Sequence, residues 1–277
     1  MKTILVPTDF SETATNTADY AFELANLFEA RLVLVNVFQM PLAVYDSPVP
    51  APVEMLNELK KRSEENLLEL KNKLLAKPHR KFTIDCFSGT GNTYDVIKTA
   101  AKNYNADLIV MGIISEAGKI KEYIIGSTTI KAARKSDIPV LIIPEKIKYR
   151  PIRKIIYARD MENTEESSLL YVLKYFANLF DAEIEVVHVE HPNDEIKAEK
   201  AANSVLIDKK LDTIPHKTTY ISSIHISRAL QDYFTMHPCD MVVLNPKKHS
   251  IFYALFNESV TKELAFHLRL PILAANH

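Results

Sequence analysis

Only two cysteines, Cys86 and Cys239, occur in 277 residues, one in each half and neither in a CxxC or metal-type spacing. That usage excludes a disulfide framework and predicts buried thiols in a reducing compartment, for which the cytoplasm is the expected location. Net charge is also missing: 34 Lys and Arg stand against 35 Asp and Glu, a formal charge of -1. With no field of one sign to steer nucleic acid or an anionic membrane surface, neither is an expected partner. No apolar run approaches the ~18 residues of a membrane span. The opening MKTILVPTDFSE reaches Pro7 and Asp9 before a signal peptide's apolar stretch is complete, so no export or anchoring signal is expected. GxSxG is absent, which removes the nucleophile elbow of a serine hydrolase. No Walker lysine and no metal-ligating carboxylate pair accompanies the glycine-containing stretch from Met111 to Ala133, so the chain is expected not to be an enzyme.

What is present is ordinary globular composition, 47% apolar and 25% charged, in a chain long enough for two domains. An internal repeat divides it. ANLFEARLVLVNV (Ala25 to Val37) returns as ANLFDAEIEVVHV (Ala177 to Val189), and KTILVPTDF has a partner in RKIIYARDM. Later, ADLIVMG (Ala106 to Gly112) matches CDMVVLN (Cys239 to Asn245), and DIPVLII matches RLPILAA. Two tandem copies in the same order are the economical reading. The polar, basic segment EKIKYRPIRK (Glu145 to Lys154) joins them, giving domains at 1–147 and 148–277.

In copy one, TILVP is a short β-branched run suited to a strand buried on both faces. Asp9 and Ser11 are candidate caps for a helix whose apolar stripe is Ala18, Ala21, Phe22, Ala25 and Phe28. RLVLVNVF is the second strand, and a loop with Pro41, Pro48, Pro50 and Pro52 leads to a charged helix from about Glu54 to Ala76. Leu56, Leu59, Leu67, Leu70 and Leu74 are expected on its buried side. KFTIDCFSG, NTYDVIKTAAKNYN, ADLIVMGI, the Gly126 segment and PVLIIPE then alternate strand, helix, strand, helix, strand. Copy two repeats the plan, with a thinner second helix around Asp194 to Asp212. Such alternation predicts an α/β fold, two tandem doubly wound α/β/α sandwiches, each with a five-stranded, mainly parallel sheet.

Ligands of open parallel sheets bind beyond the carboxyl ends of the strands, where strand order reverses. Those positions hold Pro7, Thr8 and Asp9 after strand one, Asn36 and Val37 after strand two, and Met111 and Gly112 after strand four. Gly126 and Ser127 then open a helix, whose free amides favour an anion.

ILVPTDFSE, the VNV ending of strand two and VMG...GSTT...IPVLIIPE together resemble the universal stress proteins, over essentially the whole chain as a tandem pair. The nucleotide-binding branch of that family carries a GxxG(x9)G(S/T) loop. The resemblance implies that Asp9, with Pro7 and Thr8, meets adenine and that Val37 packs the adenosine. It further implies that Met111, Gly112, Gly126, Ser127 and Thr128 meet ribose and phosphates. The implied ligand is ATP or AMP, with magnesium accompanying ATP, and no protein-bound metal. Relatives that pair through their final strands imply an intrachain pseudo-dimer of the two halves, or a homodimer, in which the closing strands are covered.

Two departures mark the loop: Ser115 replaces the second glycine, and ten residues instead of nine separate it from Gly126. Gly118 offers a substitute bend. In copy two, Asn245 stands for Gly112 and Glu258 for Gly126, and a carboxylate there repels phosphate. Asp160 persists, but Arg159 replaces its small neighbour, so this half is expected to be a structural or partner-binding copy. Simpler roles stand beside these. Asp9 is also a candidate N-cap, and Ser127 with Thr128 a cap of the fourth helix. The histidines of HVEH (His188 to His191) read as solvated or hydrogen-bonded more readily than as metal ligands, and PKKHS (Pro246 to Ser250) reads as a solvated loop. SIFYALF (Ser250 to Phe256) is a core helix or an exposed docking segment. The expected function is adenine-nucleotide binding in stress response without efficient catalysis; the competing reading is a scaffold that binds proteins and no nucleotide.

Overall fold

The computed structural model describes residues 1–39, 53–113, 127–159, 167–190, 205–244 and 270–274. They form two compact units, Met1–Gly112 and Ile113–His277. In the first, the elements are β1 (Thr3–Pro7), α1 (Glu12–Phe28), β2 (Arg31–Phe38), α2 (Val53–Leu75), β3 (Ile84–Thr90), α3 (Thr93–Asn103) and β4 (Leu108–Ile113). Its strands lie in the order β3-β2-β1-β4 and run parallel. The chain builds outward from β1 to β3 and then returns to the other side of β1, so strand order reverses between β1 and β4.

Burial follows from the sequence. Ile4, Leu5 and Val6 of β1 and Leu32 to Val35 of β2 have no exposed surface, as expected for strands covered on both faces. The α1 stripe Ala18, Ala21, Phe22 and Ala25 is equally buried. Ser11 caps α1 by accepting the Ala14 amide at 3.2 Å. On α2 the buried positions are Ser63, Leu67, Leu70 and Leu74, whereas Leu56 and Leu59 are only half-buried. A serine thus sits in the leucine stripe.

The second unit contains α4 (Ser127–Lys135), β5 (Val140–Pro144), β6 (Lys154–Arg159), α5 (Ser167–Phe180), β7 (Glu183–Glu190), a short helix over 205–210, β8 (His216–Ser222), α6 (Ile226–Met236), β9 (Met241–Leu244) and β10 (Ile272–Ala274). Of the helix expected around Asp194 to Asp212, the part before residue 205 lies outside the described residues. Strand order is β5-β10-β9-β6-β7-β8, parallel throughout except that β5 and β10 pair antiparallel, with Leu141 opposite Leu273. The repeat in the sequence assigns β5 to copy one, and this pairing places β5 in the second compact unit. The closing strands of the two copies therefore satisfy each other's backbone along this stretch.

The duplication extends to two backbone details. Asp107 Oδ2 accepts the amides of Lys2 and Thr3 at 2.6 and 2.9 Å, and Asp240 Oδ2 accepts those of Arg153 and Lys154 at 2.9 and 3.0 Å. Glu29 and Asp181 both end their helices at φ 52°. Each aspartate satisfies two strand-entry amides, so Asp107→Ala should destabilise the chain by about 2 kcal/mol. A urea midpoint unchanged by that substitution would remove this role.

Candidate functional site

The turn after β1 is built from local hydrogen bonds. The Thr8 amide donates to the Val35 carbonyl at 2.8 Å, extending the β1–β2 ladder by one residue. Thr8 Oγ1 accepts the Phe10 amide at 3.0 Å, and Asp9 Oδ1 accepts the Ser11 amide at 3.0 Å. Phe10 takes φ 65°, a left-handed conformation that costs a bulky residue energy and persists only where neighbours enforce it. Asp9 is exposed at the tip. It is not the N-cap of α1, because Ser11 fills that position.

Asn36 stands beside this turn, 7% exposed, and donates from Nδ2 to the Thr8 carbonyl at 2.7 Å. Its Oδ1 accepts from Ser63 Oγ at 2.7 Å, and Ser63 Oγ lies 2.7 Å from Ser88 Oγ. Val37 follows, half-buried and in register with Gly89. Gly91 at φ 122° turns the chain after β3, where Asn92 caps α3 through the amides of Tyr94 and Asp95.

Met111 is buried, so its side chain belongs to the core. Gly112 has a packing reason of its own: a Cβ there would lie 2.6 Å from Thr17 Oγ1 and 2.9 Å from Thr13 Cγ2. Thr17 Oγ1 is tied to the Thr13 carbonyl at 2.8 Å and cannot swing away freely. The missing side chain lets α1 close onto the end of β4.

Pro7, Thr8, Asp9, Val37, Met111 and Gly112 are thereby gathered at the carboxyl edge of one parallel sheet. Gly126, Ser115 and Gly118 lie outside the described residues; Ser127 and Thr128 open α4 in the second unit, with Thr128 half-buried. Asn245, Glu258, Asp160, His191, PKKHS and SIFYALF also fall outside them. Ser63 and Ser88 were not singled out from the sequence. The signal for Ser63 was a hydroxyl in the leucine stripe of α2.

In copy two, the residues matching Thr8 and Asn36 are Arg159 and His188, both fully buried, and Tyr220 is in register with His188 as Ser88 is with Asn36. The His188 and Tyr220 rings stack at 5.1 Å. Burial, then the nearby Arg159 charge, brings His188 down to about 4, against a smaller opposing pull from Asp208. His188 is thus a packed core histidine and not a solvated one. A row of small polar groups in copy one has become a row of large side chains.

Toward the other end of β7, Glu185 is 1% exposed, accepts from Tyr233 Oη at 2.6 Å and forms ion pairs with Lys154 Nζ at 2.9 Å and Lys217 Nζ at 3.1 Å. Burial alone would raise its pKa; the hydrogen bonds from Tyr233, Lys154 and Lys217 outweigh that and bring it to about 2. Burial, then the Glu185 bond, raises Tyr233 to about 12. Burial likewise raises Cys239 to about 12 and moves Cys86 upward, so both thiols are protonated near neutrality. Among the described residues no group of three or more His, Cys, Asp or Glu could hold a metal, and no helix is long and apolar enough to cross a membrane.

Known proteins resemble this chain in sequence and in fold. The profile of the Universal stress protein family matches residues 1–144. The universal stress protein MJ0577 of Methanocaldococcus jannaschii is 28% identical over 157 residues, covering 52% of this chain and 96% of that protein. A universal stress protein of Archaeoglobus fulgidus shares the fold over 99% of this chain and 98% of its own, with TM-score 0.75 at 16% identity. A universal stress protein solved in complex with cAMP aligns with 51% of this chain and 96% of its own at 23% identity and TM-score 0.40. With its first 144 residues matched by the family profile, this chain belongs to the universal stress protein family.

Proposed function

We propose that copy one binds an adenine nucleotide, ATP with magnesium or AMP, and that the chain acts in stress response by binding without efficient catalysis. The observation that carries this reading is the Thr8–Asp9 turn, pinned by Asn36 and presenting an exposed carboxylate at the point where strand order reverses. A carboxylate there accepts from the exocyclic amino group of adenine and repels the carbonyl of guanine. Val37 supplies apolar surface, and the family resemblance assigns the phosphates to Gly126, Ser127 and Thr128. No side chain in this set is an evident general base or phosphate-activating lysine, so turnover is expected to be slow at most.

Copy two is read as a structural partner. Arg159 and His188, both fully buried, and the larger, exposed Tyr220 stand where copy one has Thr8, Asn36 and Ser88, and the antiparallel β5–β10 pair supports an intrachain counterpart of a dimer. These features, with Ser115 and the extra loop residue, also favour the second reading, an interaction scaffold without nucleotide.

Asp9→Ala is expected to weaken ATP binding at least about tenfold, the scale of one lost charge-assisted hydrogen bond, with unchanged circular dichroism. Gly126→Trp should abolish binding while the fold persists. Wild-type chain that binds neither ATP nor AMP, or variants that bind as wild type does, would overturn the site and favour the scaffold.

A further inference from the structure

α2 is largely a solvent-facing helix, and its buried side is leucine except at Ser63, which is 4% exposed. Packing does not explain a hydroxyl there, since alanine is the better helix former and a buried hydroxyl costs free energy unless it is bonded. Its contacts do explain it. Ser63 donates its single proton to Asn36 Oδ1, so the 2.7 Å contact with Ser88 has Ser88 as donor. The direction of the chain is then fixed: Ser88 to Ser63 to Asn36 Oδ1, and Asn36 Nδ2 onward to the Thr8 carbonyl. A flipped Asn36 would set its amino group against the Ser63 donor and its oxygen against a carbonyl.

We infer that Ser63 is a positioning residue for base recognition, acting from α2 through Asn36 and the Thr8 carbonyl on the Asp9 turn. Thr8 is held to β2 by both of its backbone polar groups, its amide on Val35 and its carbonyl on Asn36. Phe10 and Asp9 are wound onto Thr8 in a turn that includes the left-handed φ 65°, so the carboxylate moves with Thr8. The second copy supplies an internal comparison: with Arg159, His188 and Tyr220 at the three corresponding positions, the small-residue relay accompanies only the copy that carries the proposed site. The consequence for nucleotide choice rests on the function proposed above; the relay itself does not.

Two readouts on the full chain separate them. In the absence of nucleotide, Ser63→Ala should speed amide exchange of Phe10 and Ser11 roughly tenfold, because a buried acceptor on Asn36 is left unmet and its hold on Thr8 loosens. In the presence of nucleotide, the same variant should narrow the preference for ATP over GTP by about tenfold, and Ser63→Thr, which keeps the hydroxyl, should restore it. Leu70→Ala serves as the comparator, since it destabilises α2 without touching the relay and should leave both readouts at wild-type values. Unchanged exchange at Phe10 and Ser11 in Ser63→Ala overturns the relay, as does an equal response from Leu70→Ala. Faster exchange in a chain whose wild type binds no nucleotide supports the relay and refutes the proposed function instead.

Discussion

Glu185→Ala is expected to lower stability by about 3 kcal/mol, one of the largest effects of any single substitution outside the proposed site. The carboxylate is buried beneath Tyr233, Lys154 and Lys217, and its removal leaves a phenol without its acceptor and two ammonium groups without their counter-charge. The chain has no tryptophan, so urea unfolding followed by circular dichroism is the measurement. A midpoint within error of wild type would show the cluster to be inert. The same group sets an acid limit. Its pKa falls from 4.5 to about 2 on folding, so the unfolded chain binds more protons between those values. The stabilisation is complete above pH 4.5 and is lost as the pH falls toward 2. His188 acts earlier and with the same sign: its pKa drops from 6.5 to about 4, so stability declines as the pH falls through that window. Each contributes about 3 kcal/mol. His188→Asn, which installs the residue of copy one, should remove the loss between pH 6.5 and 4 and keep the later one.

Gly112→Ala should cost about 2–3 kcal/mol, because the new methyl would sit 2.6 Å from Thr17 Oγ1 and 2.9 Å from Thr13 Cγ2 and α1 would have to withdraw from β4. Adding Thr17→Ala should recover part of the loss, a non-additivity expected only of groups in contact. This separates packing from ligand approach. Were Gly112 needed only to admit a nucleotide, the substitution would spare stability and abolish binding.

Strands such as β1, β2, β5 and β6 were legible because each is a short, largely apolar run rich in Ile and Val and bounded by turn residues, and such runs have few other fates. α1 was legible from its 3.6-residue stripe and from Ser11, although the cap and the exposed carboxylate could not be assigned between Ser11 and Asp9 without the turn geometry. The candidate edge was legible from position alone, since the carboxyl ends of parallel strands must converge. Its supports were not. Ser63 and Ser88 are 25 residues apart and meet only because α2 crosses β2 and β3. Gly112 looked like a ligand residue because the closeness of Thr13 and Thr17 depends on how α1 packs against β4. The pairing of β5 with β10 was expected only from family resemblance, and its antiparallel direction was not legible, because a lone strand carries no mark of its partner's direction.

The most direct test of the account is calorimetric titration of the purified, nucleotide-stripped chain with ATP and magnesium, read as sites per chain. One site is the predicted result, with copy one as the sensor and copy two closed by its own side chains. No binding would contradict the nucleotide reading, and two sites would contradict the closure of copy two.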